Sequence, residues 1–238
     1  MVKNNLEGSV RVPMPKIAYV VDFDGTITYT DISFKLVQRF NTDYYKSSLN
    51  RLNNCQLDVK TWLNRTIACF PPNLDLLLDF CEEYAGIREG FDYFLKESRK
   101  NNRPVVVASD GFGFYIKPIL SDKGCLPYIS SVYCNDLKIE NDNVSIDFKY
   151  SDKSCNMCGN CKASHVIRLK QEGYHVVYVG DGINDRYGAS WADTIFAKDL
   201  LESFALKNKY DFCPWTNFFD IVKPEYELHN NIPLCRPE

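Results

Sequence analysis

Ile17-Ala18-Tyr19-Val20-Val21-Asp22-Phe23-Asp24-Gly25-Thr26 begins as a short run of apolar, largely β-branched and aromatic residues and closes on two acids and a glycine. A run apolar on both alternating faces reads as a strand covered on both sides, so residues 17–23 are expected to form a buried strand ended by a turn. Working outward, three more runs share the pattern. Residues 105–108 end in Ser109-Asp110-Gly111, residues 175–179 end in Gly180-Asp181-Gly182, and residues 194–197 form a shorter one.

Helical spacing fills the gaps. Phe91, Phe94 and Leu95 share one face of a helix over 91–100, and Val166, Ile167 and Leu169 one over 162–172. Strands alternating with helices predict an α/β fold, a Rossmann-like, mostly parallel sheet with helices on both faces. Ligands of such sheets sit beyond the carboxyl ends of the strands, where the polar endings of the first three runs fall.

Two stretches break the alternation. Residues 31–86 carry helical patterns over 31–40, 57–69 and 74–84 without a convincing strand, which suggests a small helical cap inserted after the first strand. Apolar positions alternate across 131–149 around Glu140-Asn141-Asp142-Asn143, the pattern of a β-hairpin. The expected division is a catalytic core of 14–30 and 87–222, a cap of 31–86, and a loosely held tail of 223–238 with three prolines.

A chain of 238 residues can bury a core without a disulfide or metal staple. Its formal charge of −3 and lack of a basic run argue against nucleic acid or a membrane surface as partner. No apolar run spans a bilayer, and residues 1–16 have no secretory apolar segment. The expected setting is cytoplasmic, and the ten cysteines are expected as reduced thiols. Cys55, Cys69, Cys81, Cys125, Cys134 and Cys213 stand singly among apolar neighbours, as small core hydrophobes do.

An Asp-x-Asp pair alone usually caps a helix or is solvated. Here Asp22 and Asp24 are followed by Ser109, by Lys162 opening a helix, and by Gly180-Asp181-Gly182-Ile183-Asn184-Asp185, each at the same sheet edge. On these four motifs, in this order, the sequence resembles the haloacid dehalogenase superfamily of phosphohydrolases over about residues 17–220. The helical insertion stands where that family's first-type (C1) cap sits.

The resemblance implies Mg²⁺-dependent hydrolysis of a phosphate monoester through an aspartyl-phosphate. A carboxylate attacking a phosphate anion needs a cation between them, and Mg²⁺ prefers oxygen donors. Asp22 would be nucleophile and metal ligand, Asp181 a second ligand, and the Asp24 main-chain carbonyl a third. Asp24 would protonate the leaving alcohol and later activate water. Ser109 with the Asp110 and Gly111 N–H groups would bind the phosphoryl oxygens, and Lys162 would neutralise them. Asp185, beside Asn184, would hold Lys162 or a metal-bound water.

The finer resemblance is to the phosphoserine phosphatase-like branch (subfamily IB). Within it, Ile87-Arg88-Glu89-Gly90-Phe91, Ser109-Asp110-Gly111-Phe112 with Phe114-Tyr115-Ile116, and the cysteines before Lys162 resemble the methionine-salvage 2-hydroxy-3-keto-5-methylthiopentenyl-1-phosphate phosphatase group. The fourth motif departs toward phosphoserine and phosphocholine phosphatases, so phosphoserine, phosphocholine and phosphoethanolamine stand as alternative substrates. Asp31 could contact a substrate amine; the favoured reading is an N-cap. Trp62, Tyr44 and Tyr45 could line a pocket, although aromatics at helical spacing are more often core. Cys155-x-x-Cys158-x-x-Cys161 could hold zinc, with Cys134 or His165 as fourth ligand. A loop of free thiols is preferred, because zinc sites usually pair two ligand clusters. His175 and His229 are expected to be structural and without partners. The expected partner is a small phosphorylated metabolite, for a monomer or homodimer. The competing reading is a non-catalytic metal- or redox-sensing module on the same fold.

Overall fold

The computed structural model describes residues 16–155 and 157–222. The expected tail of 223–238, His229 and the first residues of the chain lie outside them. Seven strands, β1 (Lys16–Val21), β2 (Val105–Phe112), β3 (Ser131–Glu140), β4 (Asn143–Asp147), β5 (Tyr174–Gly180), β6 (Thr194–Ala197) and β7 (Cys213–Pro214), form one sheet in the order β4-β3-β2-β1-β5-β6-β7. All neighbours are parallel except β3 and β4, which form the expected hairpin.

Helices α1 (Ile32–Phe40), α2 (Thr42–Asn53), α3 (Val59–Thr66) and α4 (Leu74–Glu82) fall between β1 and β2, with α5 (Phe91–Lys100) leading into β2. They are followed by α6 (Gly113–Asp122), α7 (Lys162–Gln171), α8 (Arg186–Ala189), α9 (Asp199–Asn208) and α10 (Phe218–Val222). The strand alternation sorts the core in two. Tyr19, Val21, Val105, Val107, Val177 and Val179 pack on one face with Phe91, Phe94 and Phe218 from α5 and α10. Ala18, Val20, Val106, Val176 and Tyr178 pack on the other with Val166, Leu169, Ala189 and Leu201 from α7, α8 and α9. A strand buried on both faces needs no polar alternation, which is why these runs read cleanly in sequence.

The chain order reverses about β1, whose neighbours are β2 and β5. That reversal opens a crevice at the carboxyl end of β1, directly under Asp22. β2 runs four residues beyond its expected end: the register slips between Ala108 and Phe112, and this bulge carries Ser109, Asp110 and Gly111.

The surface corrects two cysteines. Cys55 and Cys69 are exposed, whereas Cys81, Cys125, Cys134 and Cys213 are buried; Cys55 stands two residues beyond the end of α2, and Cys69 ends a short turn over Ile67–Cys69. His175, expected without a partner, has its Nε2 2.9 Å from Thr194 Oγ1 on the neighbouring strand. No helix among the described residues is long and apolar enough to cross a membrane.

Candidate active site

Asp22 follows the last residue of β1 and begins a wide turn over Phe23–Ile27 that returns the chain toward α1. Gly25 makes this turn possible twice over. Its φ is +82°, and a Cβ there would sit 2.4 Å from the Asp181 carboxylate. Arg88, buried after α4, closes the turn from behind: Nη2 donates to Gly25 O at 2.6 Å, Nε to Thr26 O at 2.9 Å and Nη1 to Thr216 O at 3.3 Å. Its guanidinium lies between the rings of Tyr29 and Trp215.

One cavity of about 170 Å³ lies over the crevice. Asp22, Asp24, Ser109, Asp110 and Gly111 line it from the ends of β1 and β2. Lys162, Asp181, Asn184 and Asp185 line it from the α7 and β5 side, and Asp31 from the start of α1. All the candidate site residues therefore meet at one place.

Lys162 Nζ donates to Asp22 Oδ1 at 2.7 Å and to Asp185 Oδ1 at 2.6 Å, with all three side chains buried. Asp185 is held further by Tyr178 OH at 2.6 Å and by the Asp181 and Gly182 N–H groups at 3.0 and 2.8 Å. Both of its oxygens are thus occupied. Thr26 Oγ1 donates to Asp181 Oδ1 at 2.5 Å.

Asp22, Asp181 and Asp185 each offer a carboxylate oxygen within 4.8 Å of the others; Lys162 pairs with two of these acids, and the charge of Lys198 reaches Asp181. Burial, and then the charges of Asp185 and Asp181, push the Asp22 carboxyl well above the usual carboxylate range against the pull of Lys162. Burial and Asp185 raise Asp181 to about 7. Burial works against the Lys162 charge, but Asp185 and Asp22 outweigh it and its pKa goes up. The cluster is short of positive charge, and its donors are all hard oxygens. Such a set fits a divalent cation of the Mg²⁺ type.

Asp24 stands on the other side of the cavity. Its Oδ1 accepts the Ile32 N–H at 3.0 Å, and its Oδ2 accepts Tyr115 OH at 2.6 Å and Ser109 Oγ at 3.4 Å. Burial raises its pKa against these hydrogen bonds, the Tyr115 bond first. Ser109 Oγ accepts the Gly111 N–H at 2.8 Å, so that N–H points at the serine. Asp110 is a bracket: its carboxylate accepts the Asn160 N–H at 2.9 Å and its carbonyl accepts Asn135 Nδ2 at 2.6 Å. Asn160 Nδ2 in turn donates to Ser109 O and Tyr133 O at 3.0 and 2.8 Å.

Asp31 caps α1, accepting the Phe34 N–H at 2.8 Å, while it also lines the cavity. Trp62 lines the cavity as well as packing in the core, and its Nε1 donates to Ser48 Oγ at 3.0 Å; Tyr44 and Tyr45 pack against the core away from it. The zinc alternative gains no support: among the described residues the group within metal-sharing distance is the aspartate trio. His165, the candidate fourth ligand, has its Nε2 2.7 Å from Asn160 Oδ1 and its ring stacked 4.1 Å from Tyr133. Burial and then the Arg168 charge lower its pKa to about 4, and burial pushes the Cys158 thiol up.

Sequence gives Arg88, Tyr115 and Asn160 no role, because each acts on a partner far along the chain; Tyr178 acts on Asp185, only seven residues on. Tyr178 did leave a signal: a phenol inside an otherwise apolar strand must find a hydrogen-bond acceptor.

The family described as haloacid dehalogenase-like hydrolase matches residues 19–190. A Bacillus cereus (strain ATCC 10987 / NRS 248) protein named 2-hydroxy-3-keto-5-methylthiopentenyl-1-phosphate phosphatase is 32% identical over 203 residues, 84% of this chain and 91% of its own. Its Bacillus thuringiensis (strain Al Hakam) namesake is 30% identical over the same shares. Among solved structures, a phosphoserine phosphatase from T. onnurineus superposes with a TM-score of 0.66 at 15% identity, covering 88% of this chain and 93% of its own. At that identity the likeness is one of fold.

Proposed function

The chain belongs to the haloacid dehalogenase-like hydrolases, and from that premise we propose that it hydrolyses a small phosphate monoester through a phosphorylated Asp22. The phosphatases among its relatives support this at the level of reaction class. The observation that carries the residue roles is the Asp22 carboxylate at the switch point of the sheet, with Lys162 2.7 Å away and Asp181 within metal-sharing distance.

In this reading one Asp22 oxygen attacks phosphorus as the ester P–O bond breaks, and Asp24 gives its proton to the departing alcohol. Asp24 then takes a proton from the water that releases phosphate. Ser109 Oγ and the main-chain N–H of Asp110 receive the phosphoryl oxygens, while the Gly111 N–H, expected to join them, holds Ser109 Oγ instead; Lys162 balances their charge, and Asp185 holds Lys162 in place. Asp22, Asp181 and the Asp24 carbonyl would hold Mg²⁺, which supplies charge neutralisation between nucleophile and phosphate when bound. Helices α1–α4 act as the cap, and residues 31–86 are read as a unit distinct from the core.

The cap side of the cavity is apolar, with Phe34, Leu52, Val59, Trp62 and Leu63. Among the described residues Lys162 is the only basic side chain lining it, and two acids already engage that lysine. A substrate carboxylate would be left without a partner, at the cost of its desolvation. This favours an alcohol with an apolar body, of the methionine-salvage type, over phosphoserine. A second reading, phosphocholine or phosphoethanolamine, is favoured by Asp31 together with the Phe34 and Trp62 rings, which can face a cation.

A panel of phosphate esters with and without Mg²⁺ tests both. Release is expected to need Mg²⁺, to disappear in Asp22→Asn, and to favour apolar esters over phosphoserine. No release from any ester in the panel would sink the catalytic reading in favour of a non-catalytic module. A preference for phosphocholine would select the second substrate.

A further inference from the structure

We infer that Tyr115 is a positioning residue that sets the orientation of the Asp24 carboxyl toward the leaving alcohol. The inference rests on the reading of Asp24 as proton carrier. Tyr115 is fully buried on α6 and does not line the cavity, so it reaches the reaction only through the cavity-lining side chains it bonds, Asp24 and Ser33. Its hydroxyl donates to Asp24 Oδ2 at 2.6 Å and lies 2.8 Å from Ser33 Oγ, which itself is 3.5 Å from Oδ2. With the Ile32 N–H on Oδ1, the carboxyl is gripped by the first turn of α1 on one side and by α6 on the other. A carboxyl so held has little freedom to rotate about its last torsion, and proton transfer depends steeply on that alignment.

The surroundings are shaped for this contact. A Cβ on Gly111 would stand 2.0 Å from the Tyr115 hydroxyl and 2.3 Å from Asp24 Oδ2, so only glycine leaves the hydroxyl its path. The ring is packed by Phe23, Phe112 and Phe114, with centroids 6.1, 6.4 and 5.3 Å away. Ring packing and hydroxyl contact are thereby separable: phenylalanine keeps the first and loses the second.

The leaving group provides the test. An alkoxide departs only with a proton, whereas 4-nitrophenolate is stable without one. The ratio of kcat/KM for the best alkyl ester of the panel to that for 4-nitrophenyl phosphate therefore reads proton delivery in the first step. Tyr115→Phe is expected to lower this ratio about tenfold or more, within the range general acids contribute. Ser33→Ala, which removes the brace on the Tyr115 hydroxyl and the longer contact to Asp24 Oδ2 while leaving the Tyr115 ring packed, is expected to lower it in the same direction. Equal losses on both esters, or an unchanged ratio, overturn the positioning role; should Tyr115→Phe fail to fold, the Ser33→Ala ratio decides. A wild-type protein inactive on every ester overturns the phosphatase reading instead, and this inference with it.

Discussion

Gly111 is where one missing methyl group decides a contact. Its neighbours leave no room for a Cβ, since Tyr115 OH and Asp24 Oδ2 would lie 2.0 and 2.3 Å away. Gly111→Ala must push one of them aside, and overpacking of this kind costs about 1–3 kcal/mol. Expected outcomes are a lower melting temperature and a loss of phosphatase activity larger than that of Tyr115→Phe, because the alanine displaces the acid and the tyrosine together. A variant with wild-type melting and rates would show that the bulge opens freely. The residue scale is also where the sequence was least readable. Asp22, Asp24, Lys162 and Asp181 stand in spaced motifs, but the tie from Arg88 to Gly25 spans 63 residues and that from Tyr115 to Asp24 spans 91. Nothing local marks either partner.

At the scale of the element, α1 carries both a cap and a candidate substrate contact in Asp31. Its carboxylate accepts the Phe34 N–H, the usual N-cap bond, and burial followed by the Asp24 charge pushes its pKa well up. Asp31→Ala is expected to cost about 1 kcal/mol, or about 2–4 °C in melting temperature. Asp31→Asn keeps an acceptor and is expected to melt as the wild type does. If Asn and Ala melt alike, the cap is not what Asp31 contributes. Element legibility followed the same logic of local pattern. β6, α5 and the start of α7 appear where periodicity puts them. Helix α2, Thr42-Asp43-Tyr44-Tyr45-Lys46-Ser47-Ser48-Leu49-Asn50-Arg51-Leu52-Asn53, leaves no apolar stripe in the sequence because only Ser48 and Leu52 are buried. Helix α6 is hidden in the sequence because Pro118 sits inside it and Gly113 opens it, both signals of a break. Its packing on β3 and α4 overrides them.

For the whole molecule, the loop before α7 is stitched to the sheet through neutral groups. His165 bonds Asn160, which in turn holds the main chain of β2 and β3. Burial keeps the imidazole neutral down to about pH 4, against an ordinary value of 6.5. Above 6.5 neither the folded nor the unfolded chain carries the proton, so this group costs nothing. As pH falls from 6.5 toward 4 the unfolded chain takes it up first, and stability drops by about 3 kcal/mol. Denaturant titrations across that window should show the loss, and His165→Gln should remove most of it. Equal pH slopes in the two proteins would assign acid unfolding to other groups. The fold class was legible at this scale because four buried strands leave unmistakable apolar runs.

The grip of Arg88 on both Gly25 and Thr216 has a consequence for how the protein is made. The turn after Asp22 leaves the ribosome early, yet the carbonyl that steadies its clamp arrives 128 residues after Arg88 itself. At ordinary elongation rates that is a wait of roughly 6–26 s. A nascent chain stalled before Trp215 would already hold every candidate catalytic side chain while lacking the clasp that shapes their loop. Release of a stalled chain past that point, rather than synthesis of the last acid, should be the moment at which activity begins.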